Sequence, residues 1–430
     1  MSEDKFDAIV VGAGLAGCVA AYALAAEGLE VVLVERGEYA GAKNMTGGRL
    51  YAHSLEKVFP GFAKEAPIER LIARETITML TADDAVSVDF RSPELIAEGH
   101  ESYSVLPAIF DQWLAEKAED AGVSIIYGIT VEDLIIREGR VCGIVAGEDE
   151  LESDVVILAD GANSMLAQKA GLRNEWAAHQ VAVGAKELIE LPEQVISDRF
   201  ACSAGQGAAG LYVGDPTDGG IGGGFIYTNK ESISIGIVAT LSTLVEGKRS
   251  APAMLEVFKA HPAVAPLIAG GKMIEYSGHI VLEGGYNMLP KLAGDGVLVC
   301  GDAAGLCINL GYSVRGMDYA IESGRIAAQA VLKAREAGDF SAAGLACYRT
   351  MLESSFVLKD LSTFRKFPAF LEETPRMFKE YPQMASDVMR ELFVVDGSPK
   401  APLKPQMKAI VKRYGTWKLL KDARRGMGAL

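Results

Sequence analysis

Cysteine is scarce and unpaired in this 430-residue chain: Cys18, Cys142, Cys202, Cys300, Cys307 and Cys347 are scattered with no CxxC among them. That excludes an iron-sulfur cluster held by the chain itself, suggests no metal site, and reads as small buried hydrophobes in a reducing cytosol. Long apolar runs are missing too, none reaching the roughly 18–20 residues that span a bilayer. A strand that starts at Phe6 leaves no room for a leader, so no signal peptide is expected. Basic charge is short overall, 42 Lys and Arg against 57 Asp and Glu, net −15. No nucleic-acid partner is expected of so acidic a body.

Glycine, by contrast, is abundant: 47 residues, most of them in loops. Residues 6–11 read as a buried strand, and Gly12-Ala13-Gly14-Leu15-Ala16-Gly17 follows at once, opening an apolar helix through Ala26. Gly12 permits the tight turn, Gly14 lets the backbone approach a pyrophosphate, and Gly17 lets helix pack on strand, while the helix N-terminus offers N–H donors to the anion. A second strand ends at Glu35, 18 residues beyond Gly17, with Arg36 next. The Glu35 carboxylate suits ribose hydroxyls and repels a 2′-phosphate, which argues against NADPH at this position. NAD and FAD both fit this half of the pattern. The stretch from Gly296 to Gly324 weighs for FAD: an apolar strand runs into Gly301-Asp302, and a helix follows Gly311 and Gly316. That places a carboxylate and a second helix N-terminus around a ribityl chain and pyrophosphate, for which a simple dehydrogenase has no use.

Between these motifs, residues 104–122 form an amphipathic helix on Phe110, Trp113, Leu114 and Ala118 with a glycine stop, followed by strands near 123–127 and 131–136 that begin at Val123 and Val131. A strand at 155–159 then ends in Asp160-Gly161, a turn that backs the cofactor. The cofactor domain is therefore expected to be discontinuous, residues 1–60, 100–170 and 285–335. Residues 61–99 and 171–284 are expected to form an antiparallel-sheet substrate domain. Within it, 76–89 turns at Ala82-Asp83-Asp84 and 224–239 is a hairpin turning at Asn229 to Glu231. Such a sheet can wall the flavin ring; the glycine run at 219–224 reads either as close approach to it or as a flexible surface loop. Residues 336–399 read as helical and rich in aromatics, interrupted by Pro368, Pro375 and Pro382. The step of three through Phe364, Phe367 and Phe370 suits an amphipathic core face, an apolar substrate slot or a membrane-dipping surface.

Charge is uneven. Residues 400–430 carry nine Lys or Arg against Asp422 alone, a net +8, which leaves −23 on residues 1–399. Ile410, Tyr414, Trp417 and Leu420 fall near one helical face with basic residues around them, a pattern suited to an anionic membrane surface. A basic tail folded on the acidic body or on an acidic partner subunit is the other reading, and Gly415 weakens the helix.

Four segments together carry a family resemblance: GAGLAG at 12–17, GAKNMTGGRLY at 41–51, the run from His261-Pro262 through Glu275-Tyr276-Ser277-Gly278-His279 to Glu283-Gly284-Gly285 and Leu289-Pro290, and GDAAGLCINLGYSVRGMD at 301–318. The chain resembles FixC-type flavoproteins, relatives of electron-transfer-flavoprotein:quinone oxidoreductase within the geranylgeranyl reductase superfamily. The resemblance implies an α/β fold: a Rossmann-like FAD-binding domain of the glutathione reductase and p-hydroxybenzoate hydroxylase type, an inserted antiparallel sheet and a helical C-terminal region. It implies that Gly47-Gly48-Arg49 lies beside the isoalloxazine ring, that Asp302 holds a ribityl hydroxyl, and that Gly311 to Met317 runs along the pyrimidine side. Arg315 either adds charge there or braces the loop. Tyr276, His279 and Tyr312 become candidate proton donors to a quinone. Relatives often carry an arginine just before the helix at 104–122; Pro107 lies there instead, and Gln112 is a candidate replacement. Implied partners are the α and β subunits of electron transfer flavoprotein, a ferredoxin-like subunit and a membrane quinone, in a FixABCX-type bifurcating complex at the inner face of the cell membrane. The alternatives are an isoprenoid reductase or aromatic hydroxylase using FAD and NAD(P)H, and a non-catalytic flavin-bearing scaffold.

Overall fold

The computed structural model describes residues 5–44, 48–247, 249–283 and 285–430, so Gly47 lies outside the described residues. Five parallel strands make the centre of the first sheet, in the spatial order Ser124–Tyr127, Val31–Glu35, Lys5–Val11, Asp149–Leu158 and Val297–Val299. The middle strands are runs of Val, Ile, Leu and Ala because they are covered on both faces, and Ala8 to Val11, Val31 to Val34 and Val155 to Leu158 are at most 5% exposed. An antiparallel pair, Asp133–Arg137 on Arg140–Ala146, extends the long strand at 149–158.

The second sheet has nine strands. Eight run in the order Lys272–Leu282, Val181–Glu190, Ser232–Thr240, Gly222–Thr228, Gln206–Gly214, Ile68–Leu80, Ser102–Val105 and Gly48–Tyr51, and Ala85–Arg91 also pairs with Ile68–Leu80. All pairings are antiparallel except that of 206–214 with 68–80. Both expected hairpins turn where the sequence puts them. One face of this sheet packs through Ile226, Ile233, Ile235 and Ile237 against Ile196, Phe200, Met254, Leu255 and Phe258 of the helices Glu193–Phe200 and Ala251–Ala260. The strands 48–51 and 102–105, expected with the cofactor domain, pair with each other and join this sheet instead. Each is only four residues long, so no periodicity assigns it, and its partner lies some fifty residues away.

Four helices end the chain: Phe367–Glu373, Arg376–Phe393, Leu403–Tyr414 and Thr416–Ala429. Pro368 sits in the first turn of its helix, where a missing N–H costs nothing. Pro382, expected as a break, lies inside a continuous helix. Gly415, at φ +83°, divides the tail into two helices, so the expected common face splits. Ile410 is buried and Tyr414 donates to Asp387 Oδ2 at 2.8 Å, whereas Trp417 is 84% and Leu420 57% exposed. Asp422 ties the tail down, accepting from Arg376 at 3.0 Å and Tyr381 at 2.7 Å. Among the described residues no helix is long and apolar enough to cross a membrane.

Candidate functional site

A cavity of about 1250 Å³ is lined from both sheets, larger than the ~300–1,000 Å³ usual for one small ligand. Its first end is built by the glycine loop. Gly12 turns at φ +102°, and a Cβ there would lie 2.4 Å from the Ala159 carbonyl oxygen; one at Gly17 would lie 1.9 Å from the Gly12 carbonyl oxygen. Gly14 is different: a Cβ would meet nothing within 4 Å, since the residue faces the open cavity. The helix Leu15–Ala25 that starts there has no side-chain cap, which leaves its first N–H groups available to an anion. Glu35 locks the loop, accepting the Ala13 N–H at 2.8 Å and the Gly37 N–H at 2.7 Å. Arg36, Val131, Asp160 and Gly161 line the same end. Asp160 Oδ1 has no hydrogen-bond partner among the described residues, and burial holds its carboxyl above the usual range.

The second glycine motif arrives by helix packing. A Cβ on Gly324 would lie 2.2 Å from the Ala16 carbonyl oxygen, so its absence lets the long helix Met317–Ala337 cross the phosphate-binding helix in contact. Gly301 and Asp302 line the cavity beside that crossing, and the surrounding cavity walls push the Asp302 carboxyl up to about 6 although it is open to the cavity. Gly311, Gly316 and Met317 line the cavity beyond it, at the N-terminus of the same helix. Gly48 meets them there: a Cβ would lie 2.9 Å from Met317 Sδ.

The charged residues at this end are paired. Arg49 lines the cavity in a salt bridge with Glu75, donates to Ser102 Oγ at 3.0 and 3.1 Å and lies 4.5 Å from the Tyr51 ring. Arg315 donates to Asp318 at 2.5 and 2.9 Å and to Asp360 at 2.6 Å. Of its two expected roles, this geometry is the bracing one. Glu283 opens on the cavity with Asn309 Nδ2 3.1 Å away, and burial raises its carboxyl to about 7 against that hydrogen bond. Asn309 Oδ1 in turn accepts the Gly311 N–H at 2.9 Å, fixing the turn that leads to Arg315.

The candidate proton donors separate. His279 lines the cavity, with burial, Lys186 and Arg36 holding its pKa below the usual value. Tyr312 is half-exposed on the cavity lining, and Tyr276 points away from it. Gln112 is not part of the lining; its amide donates to Ala108 on its own helix and its side chain is exposed. The helix Pro107–Asp120 turns the neighbouring Asp111 inward to Asn44 instead.

Sequence reasoning gave the other end of the cavity only as a sheet able to wall the ring and as one of three readings of Phe367, and missed most of its individual residues. Ile77, Met79, Leu211, Val213, Phe225, Tyr227 and Val238 come from the second sheet, and Phe367, Leu371, Met377, Phe378 and Tyr381 from the C-terminal helices. Alternation along strands 222–228 and 232–240 could have marked Phe225, Tyr227 and Val238; the rest are set by the fold. The half-buried Lys186 belongs to this wall as well.

Comparison with known proteins fits this architecture. The ETF-QO/FixC family C-terminal domain matches residues 367–430, and the FAD dependent oxidoreductase family matches residues 7–199. Protein FixC of Escherichia coli K12 is 53% identical, and the Probable electron transfer flavoprotein-quinone oxidoreductase YdiS of the same strain is 52% identical, each over 100% of both chains. Among solved structures, a geranylgeranyl bacteriochlorophyll reductase-like protein from Thermoplasma acidophilum superposes at a TM-score of 0.71 with 20% identity, covering 97% of this chain and 99% of that one. The flavin-dependent brominase Bmp2 superposes at 0.65 with 14% identity, over 95% and 99%. The open cradle at Gly14, the uncapped helix and the unpartnered Asp160 oxygen suit the FAD on which the matched oxidoreductase family depends. Gly12 to Ala16 would hold its pyrophosphate, Glu35 its ribose and Asp302 its ribityl chain.

Proposed function

The chain belongs to the FixC and electron-transfer-flavoprotein:quinone oxidoreductase family, FAD-dependent oxidoreductases of electron transfer, and from that premise we propose that it reduces a membrane quinone. Its electrons come from the α and β subunits of an electron transfer flavoprotein through a ferredoxin-like subunit, within a FixABCX-type bifurcating complex. The carrying observation is that one cavity has two chemically different ends: a polar, glycine-rich cradle that suits a dinucleotide, and a chamber walled by Ile77, Met79, Leu211, Val213, Phe367 and Phe378. Such a chamber excludes water and accepts an uncharged ring with a hydrocarbon tail. FAD, when bound, supplies the transfer of electrons between donor and acceptor. The N-terminus of the Met317–Ala337 helix favours negative charge on the group it faces.

Phe393, at the end of the Arg376–Phe393 helix that helps wall the chamber, is exposed with Val394 and Val395 beyond it, and Trp417 and Leu420 are exposed on the basic tail. Exposed apolar groups with an excess of Lys and Arg suit an anionic bilayer surface, from which a quinone would reach the chamber. This supports a peripheral position on the inner face of the cell membrane.

Flavin reduction in the purified protein tests the relay. NADPH alone is expected to leave the flavin oxidised; reduced electron transfer flavoprotein is expected to bleach it, and a short-chain quinone to restore its colour. Rapid bleaching by NADPH with turnover of an isoprenoid or aromatic substrate would overturn the relay in favour of a reductase or hydroxylase. For the membrane contact, the double variant Trp417→Glu/Leu420→Glu is expected to lose about tenfold or more in partitioning to anionic vesicles, as apolar area is lost and negative charge added. Its FAD content should be unchanged. Equal sedimentation of parent and variant would assign the tail to a partner subunit.

A further inference from the structure

Glu283 follows the strand Lys272–Leu282, an edge of the second sheet, and lines the cavity where that edge meets the loop at 307–311. Two contacts fix the junction: the Glu283 N–H donates to the Gln180 carbonyl at 2.8 Å, and the Leu282 carbonyl accepts from the Cys307 thiol at 2.7 Å. Among the described residues, the Glu283 carboxyl is held by Asn309 alone. Because Asn309 Oδ1 accepts the Gly311 N–H at 2.9 Å, its amino end faces the carboxyl, 3.1 Å from Oε2 and 3.5 Å from Oε1. An amide N–H serves one carboxyl oxygen in either protonation state and leaves the other to carry a proton. No cation fixes the charge there. Arg49 and Arg315 are taken up by Glu75, Asp318 and Asp360, and among the described residues none pairs with Glu283. Glu283 and Asn309 also line a second cavity of about 10 Å³, backed by Leu361, Phe364 and Phe367, a space on the order of one water molecule.

A carboxyl so placed, between apolar helices and a cofactor cavity, exchanges its proton without rearranging its surroundings, and negative charge arriving nearby favours its neutral form. We propose that Glu283 takes up a proton from water when the flavin bound in this cavity gains electrons, and releases it when the acceptor removes them. The carboxylate becomes a carboxylic acid by forming one O–H bond; the electrons come from the reduced donor and pass on to the acceptor. The assignment rests on FAD in the cavity and is independent of which acceptor follows. The groups facing Glu283 are Cys307 with Asp302 beyond it, His279 on its own strand with Lys186 and Arg36 beyond, Tyr286 of the helical turn Gly285–Met288, and Tyr312 beside Gly311. The Cys307 thiol is pushed well up by burial, Asp302 and Glu283, so it keeps its proton. The walls, opposed by the Asn309 hydrogen bond, raise the Glu283 carboxyl to about 7. At pH 6 the acid is therefore mostly protonated before reduction and uptake is small; it is largest just above pH 7.

The test is a mediated electrochemical titration of the FAD-loaded full chain between pH 6 and 9, comparing the parent with Glu283→Gln and Asn309→Ala. The slope of the flavin midpoint potential against pH counts the protons taken up per two electrons. Above pH 7 the parent is expected to take up as much as about one proton more per flavin than Glu283→Gln, and near pH 6 almost the same number. Glutamine keeps an acceptor for Asn309 but does not titrate. Asn309→Ala removes the bond that favours the carboxylate, so its extra uptake should persist and move to higher pH. Equal proton counts in parent and Glu283→Gln at every pH would overturn the proposal. So would an offset in midpoint potential of the same size at every pH, because Glu283 would then act as a fixed charge. A Glu283→Gln protein that no longer holds FAD would overturn it as well, since the carboxyl would then be a cofactor-binding group. If the parent itself loads no FAD, the cofactor reading fails, and the Glu283 assignment fails with it.

Discussion

Gly14→Val is expected to yield a folded protein that purifies without FAD, whereas Gly17→Val is expected to damage the fold itself. Both glycines belong to one motif, and the structure separates their roles. Gly14 has φ −82° and ψ −176°, an extended conformation open to any residue, and a Cβ there would meet no atom within 4 Å. A valine's Cβ thus enters open cavity space without a clash; what the side chain excludes is a pyrophosphate lying against the helix N-terminus. The apoprotein should unfold within about 0.5 kcal/mol of the parent, while FAD affinity falls at least about a hundredfold, or ~2.7 kcal/mol. At Gly17 the added Cβ would stand 1.9 Å from the Gly12 carbonyl oxygen and 3.3 Å from the Ala159 side chain. The helix has to lift off the strand, at a cost of about 1–3 kcal/mol or more in the apoprotein. Urea unfolding of the two apoproteins and calorimetric titration with FAD measure both quantities. Comparison must use apoprotein, since bound cofactor adds its own stabilisation. A Gly14→Val protein that binds FAD like the parent would place the pyrophosphate elsewhere.

These glycines were legible in the sequence because their geometry is local: strand, turn and helix N-terminus lie within a dozen residues, and each step has its own chemistry. The hairpin 222–240 was legible for the same reason, with strong alternation around a polar turn. FAD also followed from Gly301-Asp302, although the contact that makes the two motifs one site, Gly324 on Ala16, joins residues about three hundred positions apart. Failures came where a side chain's neighbours were set by distant packing. Gln112 and Asp111 are adjacent, and only the rotation of their helix on the sheet decides that the carboxylate faces in. Pro382 reads as a helix breaker, yet its helix continues through it, with its Cγ packed where a side chain on Gly214 would have to be. Nothing local in the sequence marks Lys186 as lining a cavity, because a cavity face and a solvent face present similar patterns when the cavity also has polar groups.

Arg70 is the extreme of this illegibility, and Arg70→Met is expected to lose about 3–5 kcal/mol of stability. In the sequence it is one polar position in an alternating strand; in the fold it is 1% exposed. Its guanidinium is held chiefly by carbonyl oxygens: Nε donates to Asn229 at 2.6 Å, Nη1 to Gln206 at 3.1 Å and to Ser197 Oγ at 3.0 Å, and Nη2 to Lys230 at 3.0 Å and Glu193 at 3.2 Å. Glu193 Oε1, 4.0 Å away on a largely exposed side chain, is a weak counter-charge. Burial accordingly lowers the pKa of the guanidinium, and Glu193 only partly opposes it. Methionine fills similar space but donates nothing, leaving four carbonyls and a hydroxyl to compete for partners where solvent has little access. The cost should appear as a lower urea midpoint with an unchanged slope. Arg70→Lys should recover only part of it, because one ammonium cannot reach acceptors spread around a planar fork. The site of the loss also matters for function. Asn229 and Lys230 form the turn of the hairpin that carries Phe225 and Tyr227, so softening it loosens the apolar half of the cavity while leaving the glycine loop at 12–17 intact. Arg70→Met should therefore weaken quinone-analogue binding more than FAD binding. Equal unfolding midpoints in parent and variant would show that the fold does not depend on this knot.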